Sequence, residues 1–200
     1  MPLLKSPTPL ICGLDEAGRG PLAGPVCAAA VILPDDFPNE VLDDSKKLSS
    51  TAREKARLLI CSRALAWGIG WASAAEIDEI NILKASLLAM KRAFEAMMER
   101  DAANGSLSIN SIRAISDGLF IPDIPVPCEA LVRADSIVPA VMAASILAKT
   151  ARDRLMEYYG IFFPQYGYEK HKGYPTKAHR EAILRWGASP IQRLSFKVKE

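Results

Sequence analysis

The sequence predicts an α/β domain, a central mixed sheet covered by helices on both faces. Short runs rich in Ala, Val and Ile alternate with longer stretches whose apolar residues recur three or four apart, the periods of strand and helix. The 200 residues suit one core, because a chain usually divides into separate cores only when it is longer. With 50% hydrophobic and 24% charged residues, the composition is that of a packed protein and excludes a disordered or fibrous one.

Leu10 to Asp15 and Pro25 to Leu33 read as the first two strands, joined by a Gly-rich connection and closed by Pro34. A polar loop over 34–50 ends at a helix cap, Ser49 or Ser50. Ala52 to Ala66 is then helical through Ala56, Leu59, Ile60 and Leu65, and Trp67 to Ser73 alternates as a third strand. Ala75 to Arg100 is one long helical region, ending near Asn104 and Gly105. Ser111 to Asp117 and Glu129 to Arg133 follow as the fourth and fifth strands, across a Pro-rich loop. Asp135 or Ser136 caps a further helix that runs to about residue 158.

The longest apolar run, Val26 to Leu33, is far short of the roughly 20 residues that span a membrane. The first ten residues hold three prolines and no long apolar stretch, so the expectation is a cytoplasmic chain with no membrane partner. Cys12, Cys27, Cys61 and Cys128 stand singly in apolar surroundings, which reads as four buried thiols. His171 and His179 lie far from all of them, against a zinc site.

Charge is unevenly spread. Residues 1–164 carry 17 basic and 20 acidic side chains, whereas 165–200 carry 8 and 3. In that basic end the cations are interleaved with Tyr166, Tyr168, Tyr174, His171 and His179, a mixture suited to phosphate contacts and stacking. A solvated helix with loose tyrosines has the same composition.

Gly13 to Gly20 (GLDEAGRG) imitates a phosphate loop but fails chemically. Arg19 and Gly20 stand where Lys and Ser/Thr belong, and Asp15 and Glu16 would repel a phosphate. A dinucleotide reading of Gly18 to Ala23 fails because a strand, not a helix, follows. What remains is an acid pair at a strand end beside Gly18-Arg19-Gly20. Since side chains alternate along a strand, both acids face one site only if regular pairing is abandoned there. The glycines let main-chain groups approach a sugar hydroxyl. Asp117 ends another strand, and Asp135 follows a third. Taken singly they read as a turn residue and a helix cap; together with Asp15 they form a carboxylate cluster that calls for a hard cation, Mg²⁺ or Mn²⁺. Such a set suits two-metal phosphodiester hydrolysis.

These segments resemble ribonuclease HII, the type 2 ribonuclease H family. The resemblance runs through GLDEAGRG with Gly24-Pro25, Asp44-Ser45-Lys46-Lys47-Leu48, Asp117-Gly118 and Ala134-Asp135-Ser136. It continues through Ala144 to Lys149 with Arg152-Asp153, and His171 to Thr176 with His179. It implies a ribonuclease H-like fold with five strands in a mixed sheet, a catalytic part over 1–164 and a basic helical C-terminal extension over 165–200 in the same structural unit. It implies Asp15, Glu16, Asp117 and Asp135 as catalytic metal ligands for Mn²⁺ or Mg²⁺. It further implies Gly18, Arg19 and Gly20 reading the ribose 2′-hydroxyl, Tyr174 stacking on the next sugar, and Lys46 holding phosphate. The expected partners are RNA/DNA hybrids and duplex DNA with embedded ribonucleotides, cut 5′ to the ribonucleotide by a monomer to leave 3′-hydroxyl and 5′-phosphate ends. Lys46 and Lys47 also read as solvated loop charges. Ser145, Lys149 and Asp153 share a helix face, either turned to the acids or making a surface ion pair. The rival functions are a DNA-directed nuclease or resolvase of the same fold, and a non-catalytic hybrid-binding module.

Overall fold

The computed structural model describes residues 9–42, 48–102, 105 and 107–198. Five strands form one sheet: β1 (Leu10–Ala17), β2 (Val26–Ile32), β3 (Ala66–Ala72), β4 (Ile112–Asp117) and β5 (Cys128–Leu131). Their spatial order is β3-β2-β1-β4-β5. The first three strands in the chain pair antiparallel, whereas β1/β4 and β4/β5 pair parallel, so the sheet is mixed as expected.

The helices are α1 (Ser50–Arg63), α2 (Ala74–Ala102), α3 (Pro139–Phe162), α4 (Tyr168–His171) and α5 (Lys177–Trp186). The two sides of β2 explain their placement. Val26, Ala28, Ala30 and Ile32 pack with Ala89, Met90, Ala93 and Phe94 of α2, while Cys27, Ala29 and Val31 pack with α1 and α3. All seven β2 residues are buried, which is why this strand lacks polar alternation. Gly68 and Gly70 let α2 lie almost on the backbone of β3; a Cβ there would come within 2.3 and 2.1 Å of the carbonyl oxygens of Ala93 and Ala89.

Ser49 is the cap of α1, its hydroxyl accepting from the Ala52 N–H. In α2 a capping box forms between Ser73 and Glu76. The long helix is broken at Asn81, whose φ of 70° is non-helical. Its Oδ1 accepts from the N–H groups of Leu83 and Lys84, so Asn81 caps a second helical segment inside the expected single one. The expected cap of α3 is also corrected. Ala134–Ser136 is a separate 3₁₀ turn, and α3 starts at Pro139 after Val138. Proline favours the first helical position and holds the preceding residue out of the helix.

A smaller core joins the C-terminal segment to the domain through Ala23, Met156, Tyr166, Tyr168 and Ala182. Tyr166 and Tyr168 stack on each other and are buried, as is His179, so these rings are packing groups and not stacking platforms for a ligand. Cys12 and Cys27 are buried, and burial pushes both thiols up in pKa. Cys61 and Cys128 are only partly buried, against the expectation of four buried thiols. No described helix is long and apolar enough to cross a membrane.

Candidate active site

Pairing of β1 with β4 stops at Leu14 and Ser116, so the next residues, Asp15 near the end of β1 and Asp117 at the end of β4, lie side by side on parallel neighbours. A cleft of about 470 Å³ opens there, lined by Asp15, Glu16, Gly18, Arg19, Gly20, Arg53, Asp117, Ser145, Lys149 and Tyr174, with Ala17. Against the expectation for the acid pair, β1 keeps regular register with β2 as far as Ala17, opposite Cys27. Asp15 and Glu16 thus stay on opposite faces of the sheet. They share the cleft because it lies across the open strand end, where β4 no longer shields β1.

Burial raises the Asp15 pKa well above the usual carboxylate range, and the Glu16 and Asp117 charges push the same way. Ser145 and the Glu16 N–H, the latter at 2.7 Å from Oδ1, hydrogen-bond the carboxylate and oppose that rise. Glu16 pairs with Arg19 at 3.3 Å. Asp117 accepts from the Ala134 N–H at 2.8 Å, tying the strand end to the 3₁₀ turn that carries Asp135. Asp135 is buried in that turn and is not among the residues lining the cleft. Among the described residues, no three His, Cys, Asp or Glu already stand in a metal-holding cluster. The donor chemistry nevertheless fits a hard divalent cation: three carboxylates share the cleft with no histidine or thiol, and their mutual repulsion is what a cation relieves.

Cations line the same cleft. Of the helix face read from the sequence, Ser145 and Lys149 line the cleft and Asp153 does not; Lys149 is also paired with Asp153 at 2.7 Å, in a partly buried ion pair rather than a surface one. Arg53, which the sequence reasoning missed, lies 3.9 Å from Asp153 and donates to the Leu48 carbonyl. Its signal was faint, one arginine on a helix rich in charge. Lys46 lies outside the described residues. Tyr174 is 41% exposed, close to Gly20 and apart from the buried tyrosines.

Two arginines missed as functional candidates brace the Gly-rich turn. Arg152 donates to the carbonyls of Ala23, Pro25 and Lys172, and Arg193 to those of Gly18, Arg19, Pro21 and Gly24. Burial, and next the Arg152 charge, lowers the Arg193 pKa to about 9, which leaves it charged at neutral pH. Gly18 has φ +101°, and a Cβ there would lie 2.0 Å from Arg152 Nε, so only glycine fits.

A mixed five-stranded sheet with carboxylates at adjacent parallel strand ends is the layout of a ribonuclease H-like fold, and solved structures agree. Ribonuclease H2 from Pyrococcus horikoshii is similar with TM-score 0.70 at 24% identity, covering 94% of each chain. The Archaeoglobus fulgidus ribonuclease HII solved with PCNA gives 0.71 at 26% identity, covering 96% of each. A Bst ribonuclease HIII solved with Mn²⁺ gives 0.75 at 18%, covering 94% of this chain and 67% of that one. The profile of the family described as Ribonuclease HII matches residues 12–199, and the chain belongs to that family. It is 56% identical to the ribonuclease HII of Treponema denticola over 95% of this chain and 99% of that one. Identity to the Dechloromonas aromatica ribonuclease HII is 48%, over 98% and 95%.

Proposed function

We propose that the chain is an endoribonuclease that hydrolyses the RNA strand of RNA/DNA hybrids and nicks duplex DNA 5′ to embedded ribonucleotides, with Mn²⁺ or Mg²⁺ as cofactor. The observation that carries this reading is the single cleft in which Asp15, Glu16 and Asp117 face the Gly18-Arg19-Gly20 turn and Tyr174.

Asp15, Glu16 and Asp117 would hold the cations, and Asp135 would join them from the turn tied to Asp117. Bound there, a divalent ion supplies the positive charge that activates water and offsets charge on the leaving oxygen. The remaining work falls to the chain. The 2′-hydroxyl distinguishes RNA from DNA at one sugar, and main-chain groups bared by Gly18 and Gly20 recognise it without reading the base. Tyr174 then stacks on the neighbouring sugar. Arg53 and Lys149 hold backbone phosphates, with Lys46 in the same role, which fixes register without sequence preference. In this reading residues 165–200 extend the catalytic unit by placing Tyr174, and the chain works as a monomer.

The test compares a long RNA/DNA hybrid, a duplex with one ribonucleotide and an all-DNA duplex, each with Mg²⁺, Mn²⁺ or excess chelator. The reading expects cuts in the first two substrates only, and none with chelator. Cutting of the all-DNA duplex would favour a DNA-directed nuclease or resolvase, and tight binding without turnover a hybrid-binding module.

A further inference from the structure

The Gly-rich turn that this functional reading assigns to sugar recognition is held from behind by the far end of the chain. Arg193 is fully buried, and its guanidinium lies 2.6 Å from the Gly18 carbonyl oxygen, 3.0 Å from that of Arg19, 2.8 Å from Pro21 and 2.8 Å from Gly24. Its own N–H donates to the Leu22 carbonyl, and Gly24 donates to the Ile191 carbonyl, so both sides of the contact are main-chain locked. The residues just after it are fixed in turn. Asp78, near the start of α2, accepts from the N–H groups of Leu194 and Ser195 and from the Ser195 hydroxyl.

Peptide geometry gives this brace a consequence in the cleft. Among the described residues there are no cis peptides, and in a trans peptide the carbonyl and the next N–H point in opposite directions. With the Gly18 and Arg19 carbonyls drawn onto Arg193, the N–H groups of Arg19 and Gly20 are turned away from it. Both residues are exposed and line the cleft. Two successive N–H groups aimed the same way form a small donor nest suited to a hydroxyl or phosphate oxygen. Arginine suits this task because its planar fork spans several acceptors at once, which an ammonium cannot do.

We propose that Arg193 is a positioning residue for ribonucleotide recognition: it sets the orientation of the Arg19 and Gly20 N–H groups from outside the cleft, and Asp78 holds it in register. The inference rests on the 2′-hydroxyl reading above. It is tested with the full chain as Arg193→Lys and, to separate positioning from loss of fold, also as Asp78→Ala, which touches neither turn nor cleft. The readouts are KM and kcat for a one-ribonucleotide duplex, the Ki of the identical all-DNA duplex as competitor, and the melting temperature. In the unaltered protein KM should lie well below that Ki. Arg193→Lys should raise KM about tenfold towards it, the size of effect expected from slight misplacement of a contact, with Ki unchanged. Asp78→Ala should move KM the same way by about threefold, a smaller loss of the same positioning. If KM and Ki move together in both variants, or KM does not move, Arg193 only holds the fold together and the proposal fails. If the unaltered protein cuts or binds the two duplexes alike, the 2′-hydroxyl reading itself fails, and this inference with it.

Discussion

The two walls of the cleft are built by opposite means. On one wall, negative groups from β1 and β4 are crowded together, and burial with the neighbouring charges of Glu16 and Asp117 keeps Asp15 high in pKa. The other is the Gly-rich turn, held from outside the cleft by two buried arginines that donate to seven main-chain carbonyls. On the acid wall like charges oppose one another at Asp15, whereas the turn is held by main-chain hydrogen bonds. In the proposed function, chemistry would fall to the side crowded by like charges and recognition to the side fixed by main-chain hydrogen bonds.

The largest expected effect breaks the acid wall. Asp117→Asn keeps an oxygen able to accept from the Ala134 N–H, so the chain should fold, while cleavage of a one-ribonucleotide duplex falls by about 10³-fold or more, as for loss of a principal electrostatic group. A rate within tenfold of the unaltered protein would remove Asp117 from the chemistry. Breaking the turn wall should cost fold as well as rate. Gly18→Ala forces a Cβ onto Arg152 at a positive φ and should lower stability by about 1–3 kcal/mol, read as a shifted denaturant midpoint.

Tyr174→Ala sharpens the contrast between exposed and buried aromatics. It should slow cleavage at a single ribonucleotide by about tenfold, at the low end of stacking energies, with little change in melting temperature. Tyr168→Ala should do the reverse and destabilise first, because that ring is fully buried. Equal melting losses in the two variants would make Tyr174 a packing residue.

The smallest effect concerns pH. His171 and His179 stack at 4.5 Å, and burial lowers the pKa of both. His179 Nδ1 meets the Tyr174 carbonyl at 3.0 Å, while its buried Nε2 has no partner among the described residues. A group whose folded pKa is depressed contributes stability above its unfolded value, near 6.5, and loses that contribution as pH falls through the folded value. Melting temperature should therefore decline below about pH 6.5, and less steeply in His179→Gln. Equal slopes would exclude this pair as the source.

Strands β1 to β4 were legible to within about two residues, because the apolar runs and their Gly and Pro boundaries are local signals. The break at Asn81 was not, since the helical period continues across it and only a side-chain cap reveals it. Pro139 already marked the true start of α3, but Asp135 offered a plausible cap three residues too early. The acids at 15, 16 and 117 were legible as residues ending strands, whereas their convergence depends on β1 and β4 being parallel neighbours. The aromatic C-terminal segment misled because composition cannot separate a stacked core from an exposed platform. Arg193 was hidden for a related reason: nothing in PIQRLSF signals that its partners are carbonyls some 170 positions earlier.

The central claim, that acids at adjacent strand ends form a seat for divalent cations, is tested most directly by melting the protein and Asp117→Asn across a Mn²⁺ titration. Without metal the variant should melt higher, because one repelling charge is gone. With metal the unaltered protein should gain about 2.7 kcal/mol of stability at a hundredfold excess over Kd, and the variant much less. An equal gain in both proteins would place the cation elsewhere and contradict the account.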